Sequence, residues 1–134
     1  MFARIQKERI DLSDLIESTR NADSGALVTF QGTVRRFSGD TEVVSLHYEA
    51  YEDMALKKMN QIIKDTVDRF GVNDVNVVHR IGDLSLTEDS VVICVSSEHR
   101  GDAFKACRHV IDTIKTEVPI WKQDIIASGG KKWH

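Results

Sequence analysis

Val91-Val-Ile-Cys-Val-Ser96 is the stretch on which the fold turns. A short unbroken apolar run, rich in β-branched residues, suits a strand covered on both faces and so placed centrally in a sheet. One of its covers follows directly. From about Asp102, the residues Ala103, Cys107, Val110, Ile111, Ile114 and Val118 recur at helical spacing and predict a helix with one apolar side. Pro119, the only proline, ends it: proline has no backbone donor and biases the residue before it away from helical angles, so Val118 closes the helix. Ile120 to Ala127 then reads as a last strand before Gly129-Gly130.

Upstream, Val75-Asn-Val-Val-His79 alternates as a strand and Ile81-Gly82-Asp83 makes a break. Ala55, Met59, Ile62, Ile63, Thr66, Val67 and Phe70 predict an amphipathic helix, capped by Asp53 at its start and Gly71 at its end. Ala26 to Val34 and Val43 to Tyr51, rich in β-branched and aromatic residues and separated by Ser38-Gly39-Asp40, predict a hairpin with a long polar loop. Phe2 to Ile10 reads as an edge strand, with a short helix near Leu12 to Thr19. The order β, α, β, β, α, β, β, α, β indicates an α+β or mixed-sheet protein.

With 134 residues and no linker, repeat or low-complexity tract, a single domain over 1–134 is expected. No apolar run approaches the roughly 20 residues needed to cross a bilayer, and no export signal is evident, so the expected location is the cytoplasm. Cys94 in an apolar run and Cys107 on an apolar helix side favour buried thiols over a disulfide. Charge is unevenly placed. Residues 1–98 hold 11 Lys/Arg against 17 Asp/Glu, whereas residues 99–134 hold 7 against 4, so a basic tail follows an acidic body. That split suits a small anionic ligand or an acidic partner segment better than a nucleic-acid track, though a solvated basic face would give the same count.

Within the basic tail, Lys115-Thr-Glu-Val-Pro-Ile-Trp-Lys122 sets two lysines on either side of the bend at Pro119, where both can bear on one point. Lysine becomes a base or nucleophile when burial or neighbouring cations make its charged form unfavourable; otherwise it is solvated. Trp121 is either an apolar wall for a flat heterocycle or a core residue. Ser96-Ser-Glu-His-Arg-Gly101 puts His99 and Arg100 near a helix N-terminus, an arrangement for an anion such as phosphate, or simply a cap and a surface ion pair. Arg35 and Arg36 close the first long strand and add to that site if the strand end reaches it. Gly32 suits a bulge or a close backbone approach. His79-Arg80 sits at a strand end before glycine and reads as structural. No nucleophile triad, phosphate-loop glycine motif or metal-binding Cys/His cluster is present, so hydrolase, nucleotide triphosphatase and zinc readings lack support. An enzyme that uses the two lysines and a non-catalytic module for a phosphorylated metabolite both remain.

Taken together, the motifs resemble the large, catalytic subunit of molybdopterin synthase. The resemblance runs from Gly25-Ala-Leu-Val-Thr-Phe-Gln-Gly-Thr-Val-Arg35 through Tyr48-Glu-Ala-Tyr51, Met54-Ala55, His79-Arg-Ile-Gly82, Ser97-Glu-His-Arg100 and Ala103-Phe104 to Pro119-Ile-Trp-Lys122. It implies an α/β hammerhead-type mixed sheet with an added small α+β portion, assembled as a homodimer with a ubiquitin-like small subunit at each end. That subunit carries sulfur as a thiocarboxylate on its Gly-Gly tail, and the substrate is cyclic pyranopterin monophosphate, converted to the dithiolene of molybdopterin. No metal or other cofactor is expected. By the same resemblance Lys115 and Lys122 match the catalytic lysines, and Arg35, His99 and Arg100 match positions lining an anion pocket that draws on both protomers. Asp124 stands where a glutamate commonly follows the Trp-Lys pair, Arg36-Phe37 replaces more polar residues, and many relatives continue past the position of His134 with a polar tail.

Overall fold

The computed structural model describes residues 1–134. In chain order the elements are β1 (Phe2–Gln6), α1 (Leu12–Thr19), β2 (Ala26–Thr33), β3 (Phe37–Ser38), β4 (Thr41–Ala50), α2 (Glu52–Phe70), β5 (Asp74–Arg80), β6 (Gly82–Ser85), β7 (Asp89–Ser97), α3 (Arg100–Glu117), β8 (Ile120–Ile126) and β9 (Lys131–Trp133). They form two sheets. The first runs β1-β5-β7-β2, with β1 parallel to β5 and the remaining pairs antiparallel. The second runs β3-β4-β8-β9, with β6 also on β4. The mixed α+β fold is as the sequence led us to expect.

The apolar run that predicts a central strand lies on β7, between β5 and β2. Its side chains alternate between two cores, as the pleat requires. Val91, Ile93 and Val95 face α2 and α3 in the main core, with Ala55, Met59, Ala103, Val110 and Ile114. Val92 and Cys94 face the other way, onto Leu15 of α1. Both faces of this strand are therefore dry, and fully burying a side chain such as Ile93 contributes about 1.5–3 kcal/mol. Cys94 and Cys107 are free, buried and on opposite sides of the sheet, so no disulfide joins them.

The expected hairpin of Ala26–Val34 with Val43–Tyr51 is not formed. β2 pairs with β7, whereas β4 pairs with β8 and β6 in the second sheet; only the two-residue β3 folds back on β4. The chain thus crosses between sheets within what reads as a hairpin loop. Gly32 sits at this exit, where the β2–β7 register shifts. A Cβ there would lie 2.8 Å from Val91 Cγ1, so the predicted bulge also needs the missing side chain. Helix starts are earlier than expected: α2 begins at Glu52 after Tyr51, placing Asp53 in the first turn, and α3 begins at Arg100 after His99. An acidic first turn favours the positive helix end without capping it. Gly71 ends α2 at φ 66°, and Val118 ends α3, as predicted. The short strands β3, β6 and β9 were not anticipated.

Candidate active site

Between the two sheets, at the C-terminal end of α3, lies a cavity of about 590 Å³. β8 supplies much of its wall through alternation: Lys122 and Asp124, two residues apart, share one face. Across the β4–β8 pairing, Tyr48 is opposite Lys122 and Leu46 opposite Asp124, so these four side chains occupy the same face. Lys115 enters from the last turn of α3, and the bend at Val118-Pro119 turns the chain so that Lys122 returns to the same cavity. The turn is fastened to the neighbouring element, since the Pro119 carbonyl accepts from the Tyr51 N–H at 3.2 Å. Arg35, just past β2, completes a set of three cations lining one space. None of the three makes an ion pair within the protein. Three uncompensated cations around one opening attract an anion.

The walls are partly aromatic. Trp121 lines the cavity and meets Tyr51 edge to face, with ring centroids 5.5 Å apart. Tyr48 packs edge to face on His79 at 5.2 Å. Burial holds the Tyr48 phenol above its usual range, Ser90 opposes that shift, and the Asp124 charge adds to it. His79 is buried with Nδ1 2.7 Å from the Arg80 carbonyl oxygen, and burial lowers its pKa to about 4. The Arg80 guanidinium donates to the Lys7 carbonyl and to Glu88, a structural role, whereas His79 also lines the cavity.

His99 and Arg100 are elsewhere. They begin α3, and Lys115 ends it, which separates them by about 22 Å along the helix axis. The His99 side chain is exposed, 3.5 Å from Glu98, and neither residue lines the cavity. Arg36 also lies outside it, which singles out Arg35 of the pair. Two cavity residues escaped sequence reasoning as members of a site. Asp124 is 1% exposed, and its Oδ2 is 2.6 Å from His134 Nε2, while Oδ1 has no hydrogen-bond partner. His134 reaches it because β9 folds back along β8, with the His134 N–H donating to the Lys122 carbonyl at 2.7 Å. The alternation of Lys122 and Asp124 is a usable signal in the sequence; for His134 there is none.

These features define a class: a two-sheet α+β protein whose sheets meet at a cation-lined, partly aromatic cavity. A family model described as MoaE protein matches residues 5–117. The molybdopterin synthase catalytic subunit of Thermoplasma volcanium is 49% identical over 133 residues, covering 99% of this chain and 97% of that one. Among solved structures, molybdopterin synthase from Staphylococcus aureus superposes with a TM-score of 0.92 at 40% identity, covering 97% of this chain and 94% of that one. The complex of subunits 1 and 2 of molybdopterin-converting factor from Helicobacter pylori matches with a TM-score of 0.79 over 98% of this chain and 88% of that one; at 23% identity it speaks for the fold alone. The chain belongs to the MoaE family of molybdopterin synthase catalytic subunits.

Proposed function

We propose that this protein transfers sulfur from the thiocarboxylated Gly-Gly tail of a ubiquitin-like small subunit to cyclic pyranopterin monophosphate, forming the dithiolene of molybdopterin. The observation that carries the reading is the convergence of Arg35, Lys115 and Lys122, all without carboxylate partners, on one cavity of about 590 Å³. That volume suits a small heterocyclic ligand, and both a phosphorylated pterin and a thiocarboxylate are anions. Trp121 offers a flat wall to the heterocycle. Lys115 contacts and polarises the carbonyl of the incoming tail, while Lys122 holds the oxygen on the reacting carbon or assists proton transfer there. His99 and Arg100, remote from the lysines of their own chain, serve the pocket of a second copy in a homodimer. The small subunit is taken from the family resemblance and from the naming of the relatives as a catalytic subunit. No helix is long and apolar enough to cross a membrane, and we place the reaction in the cytoplasm.

The test combines purified protein, thiocarboxylated small subunit and cyclic pterin, with the dithiolene product followed by mass spectrometry. Native protein should form product and Lys122→Ala should lose turnover by about a hundredfold or more. Tight pterin binding without product, in the presence of a competent partner, would instead favour a module that only binds a phosphorylated metabolite.

A further inference from the structure

We propose that His134 is a further catalytic residue of this pocket, a proton acceptor held in place by Asp124. Four observations lead there. The His134 side chain lines the cavity that holds Lys115, Lys122 and Arg35. Its Nε2 is 2.6 Å from Asp124 Oδ2, a close hydrogen-bond contact. The acid is buried while the base is reachable: side-chain exposure is 2% for Asp124 and 33% for His134. Finally, the backbone bond from His134 N–H to the Lys122 carbonyl sets the imidazole opposite Lys122, on the face that carries Lys122, Asp124 and Tyr48.

A buried carboxylate bonded to one imidazole nitrogen fixes the ring and its tautomer, leaving the other nitrogen free to take a proton. In the proposed arrangement Asp124 accepts from Nε2–H and Nδ1 is the nitrogen that takes the proton. Nδ1 has no hydrogen bond within the protein. Asp124 Oδ1 is likewise without a partner, so His134 is the only donor that the carboxylate has. An ordinary surface contact would not place a buried acid beneath a partly exposed histidine in a cavity of cations.

The step this pair serves rests on the proposed sulfur transfer. When the sulfur of a thiocarboxylate bonds to a substrate carbon, a C–O bond at that carbon breaks with its electron pair on oxygen, and the carrier tail is left joined to the substrate as a thioester. Release needs water. As water adds to the acyl carbon, Nδ1 of His134 takes one of its protons and a C–O bond forms; the C–S bond then breaks with its electron pair on sulfur. The thiolate stays on the substrate, the tail departs as a carboxylic acid that loses its own proton to solvent, and Nδ1 releases the proton it took to solvent, which restores the base.

The test measures dithiolene formation under saturating partner and substrate for native protein, His134→Ala and His134→Gln. Loss of a positioned base should lower kcat by about a hundredfold in both variants, with KM within about threefold of native. Added imidazole should restore part of the lost turnover in His134→Ala, which a structural role would not allow. His134 follows β9 and lies outside all three cores, but Ala leaves the buried Asp124 without its donor whereas Gln keeps one; the urea midpoint of both variants is therefore measured alongside, and His134→Gln decides where His134→Ala is destabilised. Full activity in His134→Gln, which keeps a donor to Asp124 but cannot exchange a proton at that position, would overturn the proposal, as would native kcat in His134→Ala. Both results require product from native protein and so leave the sulfur-transfer reading standing; absence of product from native protein would sink both.

Discussion

Lys115, Lys122 and Arg35 line one cavity without an ion-pair partner. The bend and the strand end that set them there are legible in the sequence; the return of β9 along β8, which brings His134 to Asp124 ten positions away, is not. At Gly32, isolation within a strand signals a bulge, but only the packing shows that Val91 Cγ1 occupies the place of a side chain. Gly32→Ala should therefore destabilise the protein by about 2 kcal/mol through overpacking, read as a lower urea midpoint at unchanged slope. The buried thiols offer a second check. Burial, with a smaller contribution from Cys94, pushes Cys107 up to about 11, and burial also raises Cys94. Neither should react appreciably with a thiol reagent at pH 8 until the protein is unfolded, because the thiolate is the reactive form. Rapid labelling of Cys107 in folded protein would show that the α2–α3 side of the sheet opens far more readily than its packing indicates.

At the level of elements, both long helices and every long strand were legible, because apolar periodicity and Gly71 and Pro119 act locally. Partner choice was not. β2 and β4 read as hairpin arms, yet their partners lie across the chain on β7 and β8, and a strand's own pattern does not name the edge it will join. The β5–β7 region carries a pH dependence that follows from burial. His79 falls to about 4 from an ordinary 6.5 because burial disfavours its charged form, so below 6.5 the unfolded chain binds the proton more readily than the folded one. Stability is complete above about pH 6.5 and falls as pH drops toward 4, by about 3 kcal/mol for a shift of this size. Glu88, lowered first by the Ser85 N–H and further by Arg9 and Arg80, adds a loss in the same direction below its ordinary 4.5. His47 runs oppositely: its bond to Asp83, reinforced by Glu49, outweighs partial burial and raises it, so its contribution is full below 6.5 and fades at higher pH. Replacing His79 by Gln should flatten the stability profile between pH 4 and 6.5, measured by denaturant titration, while leaving the acid limb below 4.5 in place.

For the whole molecule, the decisive fact is the length of α3. Its N-terminal His99 and Arg100 and its C-terminal Lys115 are too far apart to grip one small ligand, so a single chain presents either a cationic cavity without those two residues or those two residues without the cavity. The proposed homodimer, in which each copy lends His99 and Arg100 to the other's pocket, would resolve this, and it makes a quantitative prediction. Arg100→Ala and Lys122→Ala should each abolish most turnover as separate proteins. When the two are unfolded together, refolded at equal amounts and assayed with the small subunit, about half the dimers should be mixed, and each mixed dimer has one pocket with both defects and one with neither. Activity should then recover to about a quarter of native, the share of intact pockets expected from closed two-fold symmetry. Pockets built within one chain would show no recovery at any mixing ratio, because every cavity would keep its own defect. Pairing Arg35→Ala with Lys122→Ala provides the control: both residues line the same cavity of one chain, so a mixed dimer has one defect in each pocket and turnover should stay low.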